Sequence, residues 1–230
     1  MMQPYLVFTL SATLGSMGDL AGHERRGSWA WPGRSAVLGL MGAALGIRRD
    51  GDFSALEALS LAVAVFDDGH LLRDYHTVET VPSAVMKQAN SRPEALRAAG
   101  KLRSNTTITL RDYRAGGLYG VAVWGGDLAR LAAALRAPQF TLYLGRKSCP
   151  LSAPPAAKLV EAETPEAALA MVQLPPWRRA MTARLLLADA GPDDSHVEER
   201  HDRAVDRALW HFAPRRVGYR AVEITAGGQA

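Results

Sequence analysis

Apolar positions along this chain follow two rhythms. Tyr5-Leu6-Val7-Phe8-Thr9-Leu10 is nearly unbroken apolar sequence, the mark of a strand covered on both faces. Leu59 to Phe66 and Leu118 to Trp124 predict two more such strands. Leu71 to Val78 and Thr106 to Tyr113 are β-prone but carry charges. Helical spacing takes over at Pro32-Gly33-Arg34-Ser35, which opens a helix running to about Ile47. Its proline sits near the first turn and Ser35 is able to cap. A second helix spans Asp127 to Ala137, with Asp127 as cap and Leu128, Leu131, Ala132 and Leu135 on one face. Phe140 to Leu144 predicts the strand after it. The order strand, helix, strand, strand, helix, strand predicts an α+β, ferredoxin-like domain.

Between these elements the pattern weakens. Leu14 to Ser28 is glycine-rich and reads as irregular, with His23, Glu24, Arg25 and Arg26 in it. Gly39, Gly42 and Gly46 fall on one stripe of the first helix, each costing about 1 kcal/mol of helix propensity against alanine. Such a stripe admits a close neighbour, either the protein's own sheet, which is the default, or a ligand. The triplet Arg-Asp-Tyr occurs at 73–75 and again at 111–113, so these two runs suit the arms of one long excursion. Val81 to Arg103 is basic and poor in large apolar groups; it is either a mobile loop or an arm that orders on a polyanion. Proline-rich 150–155 marks a boundary, giving a domain at 1–150 and a smaller β-rich lobe at 151–230. In the lobe, Pro165 to Val172 reads as a short helix, Pro175 to Arg179 as an exposed break, and Ala183 to Ala188 and Arg203 to Ile224 as strands.

Composition adds little about fold and more about partners. At 48% hydrophobic and 22% charged, the chain has enough apolar sequence for a packed core. Lysine occurs only at 87, 101, 147 and 158, so arginine supplies 23 of the 27 cations. That bias suits phosphate and base recognition, and equally a GC-rich coding sequence. A single cysteine excludes a disulfide framework and a cysteine zinc cluster. The apolar start lacks a preceding cation, and no uncharged stretch is long enough to span a bilayer, so a cytoplasmic protein with no membrane partner is expected.

No enzyme motif stands out. The chain has no phosphate-binding P-loop, nucleophile elbow or dinucleotide fingerprint. His196 and His201 lack partners at metal-ligand spacing; with Glu198, Glu199 and Asp202 they read as a solvated face, so no metal and no cofactor is expected. Gly117 to Trp124 matches the aromatic RNA-recognition signature only loosely, which argues against bases stacking on an open sheet. His76 is the one candidate for acid–base work, against the plainer reading of a structural or RNA-touching histidine. Tyr143-Leu144-Gly145-Arg146-Lys147-Ser148-Cys149-Pro150-Leu151 is the most distinctive stretch. A glycine bend followed by two cations and a hydroxyl suits a phosphate chain, or else is a turn with solvated charges.

Taken together, residues 32–50, 72–78 and 143–151 resemble the 5′-handle-binding RAMP-type subunits of type I-E CRISPR Cascade complexes. The resemblance implies a ferredoxin-like domain, a thumb hairpin over about 78–106 and a small C-terminal β lobe. It implies a non-catalytic subunit that holds the 5′ handle of the crRNA. Its partners would be the backbone subunit beside the thumb and the large subunit, with target DNA met only indirectly. The candidate RNA contacts are Arg26, Arg34, Ser35, Arg48, Arg73, Tyr75, His76, Lys87, Arg103, Tyr143, Gly145, Arg146, Lys147 and Ser148. In a sister subtype the equivalent subunit cleaves precursor crRNA without metal; Tyr75, His76 and Lys87 are the candidates for that alternative.

Overall fold

The computed structural model describes residues 1–21, 24–86, 91–100, 106–207, 209 and 211–227. Strand β1 (Gln3–Ser11) leads through β2 (Leu14–Gly15), β3 (Met17–Ala21) and β4 (Arg25–Trp29) to helix α1 (Arg34–Leu45). A short α2 (Ser54–Glu57) precedes β5 (Ser60–Asp67) and β6 (His70–Glu79). Two further short helices, α3 (Ser83–Met86) and α4 (Arg92–Ala99), separate β6 from β7 (Thr106–Ala115). Then come β8 (Leu118–Trp124), α5 (Leu128–Arg136), β9 (Lys158–Ala162), α6 (Pro165–Leu169), β10 (Met181–Asp189), β11 (His196–Asp206) and β12 (His211–Ala226).

Seven strands form the main sheet, in the order β11-β12-β10-β5-β8-β1-β9. Its pairings are all antiparallel. β1 is apolar throughout because both its faces are covered. Leu6, Phe8 and Leu10 meet α1 and α5 on one side, and Tyr5 and Val7 meet α6 and the 168–174 segment on the other. Asp127 caps α5 through Arg130 N–H, and Leu128, Leu131, Ala132 and Leu135 are its buried face, as the spacing predicts.

Four expectations need correction. Phe140 to Leu144 is not a strand: its one ladder contact is an isolated bridge from Tyr143 to Pro150, and β9 takes the place beside β1. Leu14 to Ser28 is not irregular but holds β2, β3 and β4, which join β7 in a second sheet. The glycine stripe of α1 does not meet the sheet. Gly42 admits the Phe53 ring, which would lie 2.5 Å from an added Cβ, Gly46 is the left-handed C-cap at φ 78°, and Gly39 faces open space. Asp202 is not solvated but buried, at 1% exposure. The expected boundary near 150 falls between α5 and β9, and strands from both sides of it share one sheet.

Asp202 supplies what Ser35 does not. The N-cap residue Gly33 makes no side-chain cap bond. Instead the Asp202 Oδ2 accepts from Arg34 N–H at 2.8 Å, 168 residues away. The same carboxylate takes a two-pronged donation from Arg215, Nε to Oδ1 and Nη2 to Oδ2, both 2.8 Å. Arg215 in turn reaches Asp189 on β10 at 2.7 Å. A β11 side chain thus fixes the start of α1. Breaking a buried, hydrogen-bonded ion pair leaves the remaining charge uncompensated. Asp202→Ala is therefore expected to cost about 3–5 kcal/mol, read as a lower urea midpoint at unchanged slope.

Candidate nucleic-acid interface

One face of α1 is the floor of a cleft of about 1210 Å³. Ser35, Ala36, Gly39, Leu40, Ala43 and Ile47 line that floor, and the missing side chain of Gly39 deepens it. One wall comes from β3, β4 and the 140–146 loop, the other from β11 and β12. Arg26, Arg48, Arg49, Arg146, Arg200 and Arg207 reach the lining against only two carboxylates, Asp19 and Glu199. Aromatic surfaces lie between the cations: Trp29, Phe53, Phe140, Tyr143 and Phe212.

The glycine–cation loop is tied down at each end. Ser16 N–H donates to the Leu144 carbonyl at 3.0 Å, and Leu144 N–H to that of Cys149 at 2.8 Å. Gly145 adopts φ 88°, and a Cβ there would sit 1.6 Å from the Ser16 oxygen, so only glycine lets the loop lie against the link between β2 and β3. Arg146 then lays its guanidinium 4.5 Å from the Tyr113 ring centre. Its Nη1 is buried and finds no acceptor among the described residues. Across the cleft, Arg200 lies over the Trp29 ring at 5.0 Å, and its buried Nε lacks an acceptor too, as does the indole Nε1 of Trp29. Burial works against the Arg200 charge, but the Tyr219 hydroxyl and Glu198 outweigh it and keep the guanidinium charged above its ordinary range.

Beside the cleft, β6 and β7 pair without a slip from His70↔Ala115 to Glu79↔Thr106. The repeated Arg-Asp-Tyr triplet explains that register. Run antiparallel, Arg73 faces Asp112 and Asp74 faces Arg111. Asp112 is buried, takes Arg73 Nε at 2.7 Å, and also holds Arg25 of β4 at 3.0 Å. One carboxylate thereby joins the hairpin to the cleft wall.

The expected contacts separate into groups. Arg26, Ser35, Arg48, Tyr143, Gly145 and Arg146 line the cleft. Lys147 and Ser148 are exposed next to it. Arg34 is not available: it is buried, and its Nη2 donates to the Glu57 and Leu59 carbonyls at 2.7 and 2.8 Å. Arg73 is held by Asp112. Tyr75 and His76 lie on opposite faces of β6, because consecutive strand residues alternate. Lys87 and Arg103, like His23, lie outside the described residues. Sequence reasoning missed Trp29, Arg49, Arg200, His201, Arg207, His211 and Phe212. The alternation His196, Glu198, Arg200, Asp202 along β11 was the available signal, but its meaning depends on Tyr219 and Arg215 across the ladder.

This architecture belongs with proteins of CRISPR defence. The family model described as CRISPR-associated protein (Cas_Cas5) matches residues 5–218, and the chain is a member of that family. Within it, the chain is 35% identical over 186 residues to the CRISPR system Cascade subunit CasD of Escherichia coli (strain K12), covering 73% of this chain and 76% of that protein. Its fold matches a chain of a "CRISPR RNA-guided surveillance complex" at TM-score 0.70 and 23% identity, over 96% of this chain and 91% of the other. A second match, "Crystal structure of Cas protein", has TM-score 0.63 and 27% identity over 96% and 95% of the two chains.

The Asp112 junction has a pH signature. The Arg73 hydrogen bond, reinforced by Arg25, holds its carboxyl below the usual carboxylate range despite burial. The folded pKa is the lower one, so the stabilisation is present above the unfolded value of about 4 and is lost as pH falls through the folded value. Asp112→Asn should melt about 2–4 °C below wild type at pH 6, and the gap should close as pH drops below about 4.

Proposed function

We propose that this chain is a non-catalytic, RNA-binding subunit of a type I-E Cascade complex, holding the 5′ handle of the crRNA in its cleft. The carrying observation is the lining of that cleft, where Arg26, Arg48, Arg49, Arg146, Arg200 and Arg207 are interleaved with Trp29, Phe53, Phe140, Tyr143 and Phe212 against only Asp19 and Glu199. Arginines interleaved with aromatic rings suit a single strand, whose phosphates and splayed bases need cations and flat surfaces together. The relation to CasD supplies the identity of that strand.

On this reading β9-β1-β8-β5, with α1 and α5 on one face, is the ferredoxin-like core of a RAMP protein. The β6–β7 hairpin is the base of the thumb, set against the neighbouring backbone subunit, and the large subunit is a further partner. Residues 151–230 form the C-terminal β lobe, here fused to the core through β10. The protein works in the cytoplasm; no helix among the described residues is long and apolar enough to cross a membrane. Target sequence is read by the guide's base pairing, and this subunit grips shape and backbone.

Nuclease chemistry is not favoured. A general base and a charge-stabilising partner must converge on one phosphate. Tyr75 and His76 diverge across the pleat of β6, and neither lines the cleft. Repeat RNA incubated with the isolated protein in EDTA is expected to stay intact; a product lost in His76→Ala would establish the cleaving alternative.

Gly39 gives a direct test of the cleft. Nothing lies within 4 Å of a Cβ added there. Gly39→Ala should stabilise α1 by about 1 kcal/mol. Gly39→Trp should fold but fill the floor and lower handle affinity at least 10-fold in a fluorescence-anisotropy titration. Equal affinity in a folded Trp variant places the RNA elsewhere.

A further inference from the structure

Resting on the handle-binding reading, we infer that Arg200 is a specificity-determining contact, held by Glu198, Tyr219 and two tryptophans so that its remaining terminal nitrogen, Nη1, meets a base edge rather than a passing phosphate. Arg200 stands on β11, in the wall that the resemblance did not point to, and it lines the cleft. Its plane is set by the indoles: Cζ lies 5.0 Å from the Trp29 ring centre and 6.0 Å from that of Trp31. Those two rings stack on each other at 5.5 Å and 28°. Its edge is set by polar partners. Nη2 donates to the Tyr219 hydroxyl at 3.1 Å and pairs with the Glu198 carboxylate. Tyr219 donates onward to Glu198 Oε2 at 3.1 Å, and the His196 ring meets Oε1 at 3.2 Å. Trp31 packs edge-on against the Tyr219 ring, closing the cluster.

Two consequences separate this arginine from the others. Nη2 is taken by Tyr219 and Glu198 and Nε is buried, so Nη1 is the donor left, and the indoles and polar partners that hold the guanidinium fix its direction. Fixed planar donors discriminate acceptor patterns, which is what base edges differ in and phosphates do not. Its charge is also largely cancelled by Glu198, so its contribution is geometric rather than Coulombic. A phosphate clamp calls for the opposite: a mobile, uncancelled cation, as Lys147 and Arg48 are placed to be, exposed in the loop and past the end of α1. The rival account is a rivet that merely joins β11 to the Trp29–Trp31 segment.

Anisotropy titrations of the full chain settle the matter with two RNA probes. One carries the 5′ handle of the host's own repeat, and the other is a permuted oligonucleotide of equal length and composition. Arg200→Lys keeps the charge and loses the aligned planar donor. It should cut the preference for the handle about 10-fold while leaving the slope of affinity against salt unchanged. Glu198→Gln removes the aligning anion and keeps hydrogen-bonding atoms. It should tighten binding of both RNAs and narrow the preference about threefold. If either variant folds and its handle preference equals wild type, Arg200 is only a rivet and the inference is wrong. A wild-type chain that binds both probes equally instead overturns the handle reading itself.

Discussion

The buried pair of Asp202 with Arg215 is the interaction on which the cleft depends. A helix start presents N–H groups that need acceptors, and α1 begins with a glycine that offers none from its side chain. The acceptor comes from β11, and its own charge is neutralised from β12. Floor and far wall are therefore one rigid unit before any ligand arrives. Glu57 adds a second tie, through Arg207 at 2.6 Å, and Arg207 covers the Phe53 ring that fills the notch at Gly42. Preorganisation of this kind lowers the ordering cost of binding.

The two walls are tethered differently. The β11–β12 wall is part of the main sheet, whereas β3 and β4 belong to the smaller sheet and reach the core through their neighbours. Tyr119 donates from β8 to the Ala30 carbonyl at 2.9 Å, and burial raises the pKa of its phenol well above the ordinary value, keeping it a donor. Asp112 ties β4 to the hairpin. Gly145 fits the cation loop against Ser16. Three unrelated devices, a phenol, a carboxylate and a missing Cβ, together place Arg146 opposite Arg200.

Elements whose cause is local were legible in the sequence. Asp127 with its leucine stripe and the apolar run of β1 each contain their own explanation. The hairpin was legible because its register is written twice, as Arg-Asp-Tyr. Phe140 to Leu144 misled because Leu142 and Leu144 alternate as strand residues do, yet they are buried by packing into the core beside α1 rather than by a ladder. Arg34 misled because a cation at a helix start looks available for an anion, while the carbonyls that claim it belong to residues 57 and 59. Half of the cleft was illegible for the same reason. Nothing near Arg200 or Arg207 in sequence says which surface they share with α1.

The same logic explains why the wall at β11 was read as solvated. A cluster of Glu198, Glu199, Arg200, His201 and Asp202 has the composition of a surface and the periodicity of a strand. Periodicity decides: with a repeat of two, Glu198, Arg200 and Asp202 share one face while Glu199 and His201 take the other. A face of alternating charges can be buried only if each is answered across the ladder, and Tyr219 and Arg215 answer them. Glu199 and His201, from the other face, also reach the cleft lining, His201 within the register slip between Arg200 and Arg203. Charge in this wall is spent first on alignment, and the cleft draws its net attraction for an anion from the freer arginines at its other margins.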